Sequence, residues 1–154
     1  MRDGLAFTED YVDAGSSDVI EMLFGSGRSD TAHFAADRPL AHDPGTTYNY
    51  SSGASNIVAR AVGEVVGSGA VTEAFMRTAI FDPLGMTSAR IRLDDAGTFI
   101  ASSFVYATAR DWVRFGECYL RDGRSGGRQV VPAGWAAHGW RIRSTDAETG
   151  TPYG

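Results

Sequence analysis

The sequence has no lysine: all 14 of its basic residues are arginine. The P-loop lysine, Schiff-base chemistry, an S-x-x-K nucleophile and a K-T-G motif are therefore excluded from within these 154 residues. Cysteine is nearly absent as well. Cys118 stands alone, so no internal disulfide can form, and its thiol reads as a small packed hydrophobe. No apolar run is long enough to span a bilayer, and the first residues, Met1 to Phe7, lack the charged start and apolar stretch of an export signal. A basic stripe is missing too. Fourteen cations against 19 acids leave a net charge of −5, which argues against nucleic acid as a partner, because that affinity comes largely from clustered cations releasing counterions.

Motif absences narrow the chemistry further. There is no G-x-G-x-x-G in a strand-to-helix setting, so a dinucleotide-binding reading has no support. His33, His42 and His138 form no H-E-x-x-H and no close Cys/His cluster, and neither a metal nor any other cofactor is expected. Asn49-Tyr50-Ser51 matches a glycosylation sequon in form only, since such tripeptides arise often by chance.

What is present is enough apolar material, 43% of residues, for one ordinary domain. Residues 1–16 read as an extended or looping segment. Asp18 and Glu21 have capping-box spacing ahead of Met22-Leu23-Phe24, which predicts a short helix over 18–24. A second runs from Asp30 to Ala36, halted before Arg38-Pro39. Residues 38–53 are a loop. Helical periodicity then predicts helix over 54–67, with Ile57, Val58, Ala61, Val62, Val65 and Val66 as its apolar face and Arg60 and Glu64 opposite. A helix over 70–81 follows, with Phe75, Met76, Ala79 and Ile80 as its buried stripe and Pro83 as terminator. Arg90 to Leu93 alternate as a short half-solvated strand. Thr108 can cap a third strong helix, lined by Trp112, Val113, Phe115, Tyr119 and Leu120 and closed by Asp122-Gly123. Gly126-Gly127 turns the chain, Pro132 suits the first position of a last short helix ending at Gly139, and 144–154 are polar and turn-rich. No internal repeat is visible.

The most informative stretch is His42-Asp43-Pro44-Gly45-Thr46-Thr47-Tyr48-Asn49-Tyr50-Ser51-Ser52-Gly53, running straight into the 54–67 helix. On local grounds alone Pro44-Gly45 is a turn, and Tyr48 and Tyr50 point the same way along an extended segment, as core-packing tyrosines do. Pro44-Gly45-Thr46, then Tyr48-x-Tyr50-Ser51-Ser52, then an amphipathic helix resembles the second motif region of the serine β-lactamase and penicillin-binding-protein superfamily. The likeness is greatest to its class C branch, with its esterases and 6-aminohexanoate-dimer hydrolases. It continues in order through Ile80-Phe81-Asp82-Pro83-Leu84-Gly85-Met86 and Tyr106-Ala107-Thr108-Ala109-Arg110-Asp111-Trp112-Val113-Arg114-Phe115-Gly116. Gly4-Leu5 resembles the family's S-G-L loop, with Asp3 in place of serine.

The resemblance implies a fold and a chemistry. The fold is the α-rich central part of an α/β (α+β) β-lactamase/transpeptidase-like domain, with a few short strands and the main antiparallel sheet largely missing. Residues 1–154 then form a single partial domain between the first and third motifs. The chemistry is hydrolysis of a small-molecule amide or ester through an acyl-enzyme. The catalytic candidates by register are Tyr50, as first residue of the Y-x-N triad, and Ser52, where asparagine is commoner. Tyr48-Asn49-Tyr50 also has a tyrosine first, but the offset to the helix favours Tyr50. The family's serine and lysine are expected upstream of Met1 and its third motif beyond Gly154. Bringing a phenol from about pKa 10 to near 7 requires about 4 kcal/mol of preferential phenolate stabilisation. No arginine lies in 42–53 to supply it, and with the nucleophile absent as well the isolated chain is expected to be inactive. The other reading is a non-catalytic helical interaction module on the same scaffold. With the sheet missing, the helices over 54–67 and 108–121 are expected to expose an apolar face.

Overall fold

The computed structural model describes residues 1–13, 15–146 and 149–153. The chain divides into two compact units, Met1–Thr72 with Arg92–Phe104, and Glu73–Ile91 with the residues from Val105 onward. It is helix-rich, with only short antiparallel strand pairs, in keeping with the expected fold class.

In the first unit, α1 (Asp18–Phe24) starts one residue earlier in its capping than the sequence suggested. Ser17 is the N-cap, its hydroxyl accepting from the Ile20 amide, while the Glu21 carboxylate reaches forward to the Ser26 amide at 2.8 Å. A 3-10 turn (Ser26–Ser29) leads to α2 (Thr31–Ala36), capped by Asp30. The long α3 (Ser52–Val66) begins two residues before the predicted start, because the Ser51 hydroxyl accepts from the Ala54 amide, and it ends at Gly67 with φ +107°. Phe7, Val19, Met22 and Ala35 form the core, with Leu23, Phe34 and Ile57 packed on it.

α3 buries a face other than its valine stripe. The buried face consists of Ser52, Gly53, Asn56, Ala59 and Gly63, whereas Val58 and Val65 are 62% and 85% exposed. Close packing selected small residues over bulky ones. A Cβ on Gly53 would lie 2.8 Å from both the Ala35 methyl and the Phe7 ring. The supposedly solvated side also carries inward bonds. Arg60 reaches Thr98 Oγ1 at 2.6 Å and Asp30 at 2.7 Å, and buried Asn56 accepts from the Ser102 amide. Buried Asp94 accepts from the Thr31 amide and hydroxyl and from the Thr98 amide. These polar links hold 92–104 to the unit.

α4 (Ala70–Met76) carries the chain into the second unit, and the predicted helix over 70–81 changes character there, since Arg77–Phe81 is a π-helical turn. Phe75 is 39% exposed and Phe81 is the buried residue of the segment. Phe81, Leu84, Met86, Ala89 and Cys118 form the core. β1 (Arg90–Ile91), at the predicted strand, pairs antiparallel with β2 (Val105–Tyr106). Thr108 caps α5 (Ala109–Leu120) as expected, and buried Asp111 accepts from the Ser88 amide and hydroxyl at 2.9 and 2.6 Å. β3 (Arg124–Ser125) and β4 (Arg128–Gln129) form a hairpin around Gly126-Gly127. The last helix, α6 (Trp135–Gly139), starts three residues after Pro132, behind Gly134 at φ +78°. β5 (Ser144–Thr145) pairs with β6 (Pro152–Tyr153), a hairpin that the polar tail did not announce. Residues 147, 148 and 154 of that tail lie outside the described residues. Among the described residues, no helix is long and apolar enough to cross a membrane.

Candidate functional site

The motif loop is built against the N-terminal segment. The Gly4 carbonyl accepts from the Ala41 and His42 amides, the Arg2 carbonyl accepts from Gly45, and the Pro39 carbonyl accepts from Ala6. Gly4 makes this approach possible: at φ +83°, a Cβ there would stand 2.2 Å from the His42 carbonyl oxygen. Asn49 is the second anchor. Its amide donates to the Met1 carbonyl and its side chain to the carbonyls of Leu5 and Phe7, at 3.4 and 3.2 Å. A cavity of about 390 Å³ adjoins the loop, lined by Met1, Arg2, Asp3, Gly45, Ala54, Ile57 and Val58.

Tyr50 sits between that anchor and the first turn of α3. Its neighbour Ser51 is buried and caps the helix, yet Tyr50 itself is 53% exposed. It is not sealed in apolar packing. Tyr48 is half-buried, its hydroxyl near the Met1 sulfur. The two tyrosines therefore differ in setting despite their equivalent positions along the segment.

Ser52 is buried and turned toward a residue that sequence reasoning did not single out. The Glu9 carboxylate accepts from the Ser52 amide through Oε2 at 2.9 Å and from the Ser52 hydroxyl through Oε1 at 2.5 Å. Oε1 also accepts from the Tyr11 hydroxyl at 2.6 Å. Partial desolvation, then the bond to Glu9, holds the Tyr11 phenol above its ordinary range, with Ser52 acting in the opposite sense and the nearby Tyr50 adding to the rise. Glu9 and Tyr11 lie two apart in the N-terminal segment, and the partner is 43 residues away. Nothing local in the sequence links them; the available signal was the i, i+2 spacing that puts both on one side of an extended chain.

Among the described residues no group of three or more His, Cys, Asp or Glu side chains could hold a metal ion. Cys118 is fully enclosed in the second unit, and burial pushes its thiol above the ordinary value. A structural place in the core is what this arrangement supports.

Comparison with known proteins supplies the remaining constraint. The family model described as β-lactamase matches residues 3–154. Among solved structures, the chain is similar to a Bacillus anthracis protein assigned as a 6-aminohexanoate-dimer hydrolase, with 25% identity and a TM-score of 0.61 over 68% of this chain and 27% of that one. A protein of Bacteroides dorei DSM 17855 assigned as a β-lactamase has the same fold, at 23% identity and a TM-score of 0.58, over 70% of this chain and 32% of that one. The chain thus spans about a third or less of the length of these structures. No curated protein sequence matches it significantly.

Proposed function

The chain belongs to the β-lactamase family, whose model covers residues 3–154, and from that premise we propose that it is the motif-bearing middle of a serine hydrolase that cleaves an amide or ester. The serine nucleophile and its lysine are assigned to the part of the protein that precedes Met1, and the third motif to the part beyond Gly154. Tyr50 is the proton carrier. In acylation the serine oxygen attacks the carbonyl carbon, its proton passes through the lysine and Tyr50 pair, and the leaving amine or alcohol takes up a proton as the C–N or C–O bond breaks. Water reverses the sequence to release the acid. Ser52 is the neighbour of Tyr50 in the motif.

The observation that carries this reading is the setting of Tyr50. A phenol serving as proton carrier must reach the reacting atoms while its backbone stays fixed. Tyr50 has an exposed ring on a backbone held between the Asn49 bonds and the Ser51 cap. Tyr48, half-buried on the N-terminal segment, lacks that combination. The likeness to a protein assigned as a 6-aminohexanoate-dimer hydrolase supports amides as one substrate class. No feature of the structure favours the non-catalytic module.

The test is hydrolysis of a chromogenic ester and a β-lactam by the reading frame extended to include an S-x-x-K. Tyr50→Phe is expected to lower kcat by about 10²- to 10⁴-fold, Tyr48→Phe to leave it within about threefold, and the isolated 154-residue chain to turn over neither compound. Full activity in Tyr50→Phe overturns the assignment.

A further inference from the structure

The N-terminus of α3 leaves amide groups without helical partners, and a carboxylate is favoured there by both hydrogen bonding and the helix dipole. Local sequence fills only part of this need. Ser51 takes the Ala54 amide, while the Ser52 amide is taken by Glu9, from 43 residues away. The same carboxylate receives the Ser52 hydroxyl and the Tyr11 hydroxyl on its other oxygen. Three donors on one half-buried carboxylate make a clamp between the N-terminal segment and the motif loop, two residues beyond Tyr50.

We infer that Glu9 is a positioning residue for Tyr50: through Ser52 it fixes the first turn of α3 and so the point from which the Tyr50 ring projects. The inference rests on the role proposed for Tyr50. It also gives Ser52 a specific task. Its hydroxyl proton is committed to Glu9 Oε1, so Ser52 works as the anchor of the motif's third position and not as a proton carrier. A serine there functions because position 9 supplies the acceptor; serine and glutamate act as one unit.

That pairing is testable in the extended, nucleophile-bearing protein by a double-mutant cycle on kcat and KM, with amide exchange at Ser52 followed by NMR. Glu9→Ala is expected to lower kcat by about 10- to 100-fold, as sub-ångström misplacement of a reacting group does, with KM within about twofold. Glu9→Gln keeps one acceptor for the Ser52 amide, and its NH2 group can donate to a hydroxyl, so it is expected to restore kcat to within about threefold of wild type and to preserve Ser52 protection. Glu9→Ala combined with Ser52→Ala is expected to cost no more than the worse single change. Multiplicative losses in the double variant, or full kcat in Glu9→Ala while Tyr50→Phe is impaired, overturn the positioning role. Full kcat in Tyr50→Phe, with Ser52 protection lost in Glu9→Ala, instead sinks the proton-carrier assignment and leaves the clamp.

Discussion

Glycine 53 shows how a single missing methyl group sets the geometry around the motif. The position tolerates no Cβ without displacing Ala35 and the Phe7 ring. Gly53→Ala is expected to destabilise the first unit by about 1–3 kcal/mol, as overpacking of a filled core does, and a urea melt followed by far-UV circular dichroism measures it. Cys118 makes the opposite point, a reactive group made inert by its surroundings. Its 1% exposure and raised pKa predict that Ellman's reagent reacts only at the rate of unfolding. Fast, stoichiometric labelling of the native chain would contradict this burial. At this scale the sequence was informative about Tyr50 and Ser52 through family likeness, and silent about Glu9 and Tyr11. The i, i+2 spacing of that pair places both on one side of the chain, but a hydrogen bond closing 43 residues leaves no sign of its partner.

Elements were legible where the signal is local. The 18–24 and Thr108-capped helices, and the strand at Arg90, follow from caps, breakers and alternation, and all form near where those signals fall. The π-turn at Arg77–Phe81 was not legible, since the Arg77 side chain is engaged beyond the turn: it donates to the Ala89 carbonyl and pairs with Asp82. The valine stripe of α3 is largely exposed, as the family likeness implied, and the face that packs was not legible because periodicity reports which side is apolar, not which side another backbone approaches. Two outcomes follow at this scale. Thr108→Ala is expected to cost about 1 kcal/mol, the usual worth of a side-chain N-cap, in a thermal melt. Asp111 is held below the ordinary aspartate range chiefly by the Ser88 hydroxyl and amide, with Arg114 assisting. A carboxylate whose folded pKa is depressed stabilises the fold above its unfolded pKa, and that contribution is lost as pH falls through the folded value. The stability gap between wild type and Asp111→Asn is therefore expected to be largest near neutrality and to close below about pH 4; a gap independent of pH would refute it.

On the scale of the molecule, the valines of α3 and Trp112, Val113 and Leu120 of α5 leave apolar side chains exposed on both helices. The purified chain is expected to bind an apolar fluorescent dye well above a compact control protein of equal size, and no excess would count against these faces being open. The first unit is also discontinuous in sequence. Its buried polar links need Asp94, Thr98 and Ser102, which arrive only after the chain has passed through Glu73–Ile91. During synthesis on the ribosome, then, Thr31 of α2 and Asn56 and Arg60 of α3 emerge first and stay without these partners until Phe104 has cleared the exit tunnel. Translation order imposes a waiting period on the side-chain bonds of α2 and α3 that no change in their local sequence can shorten.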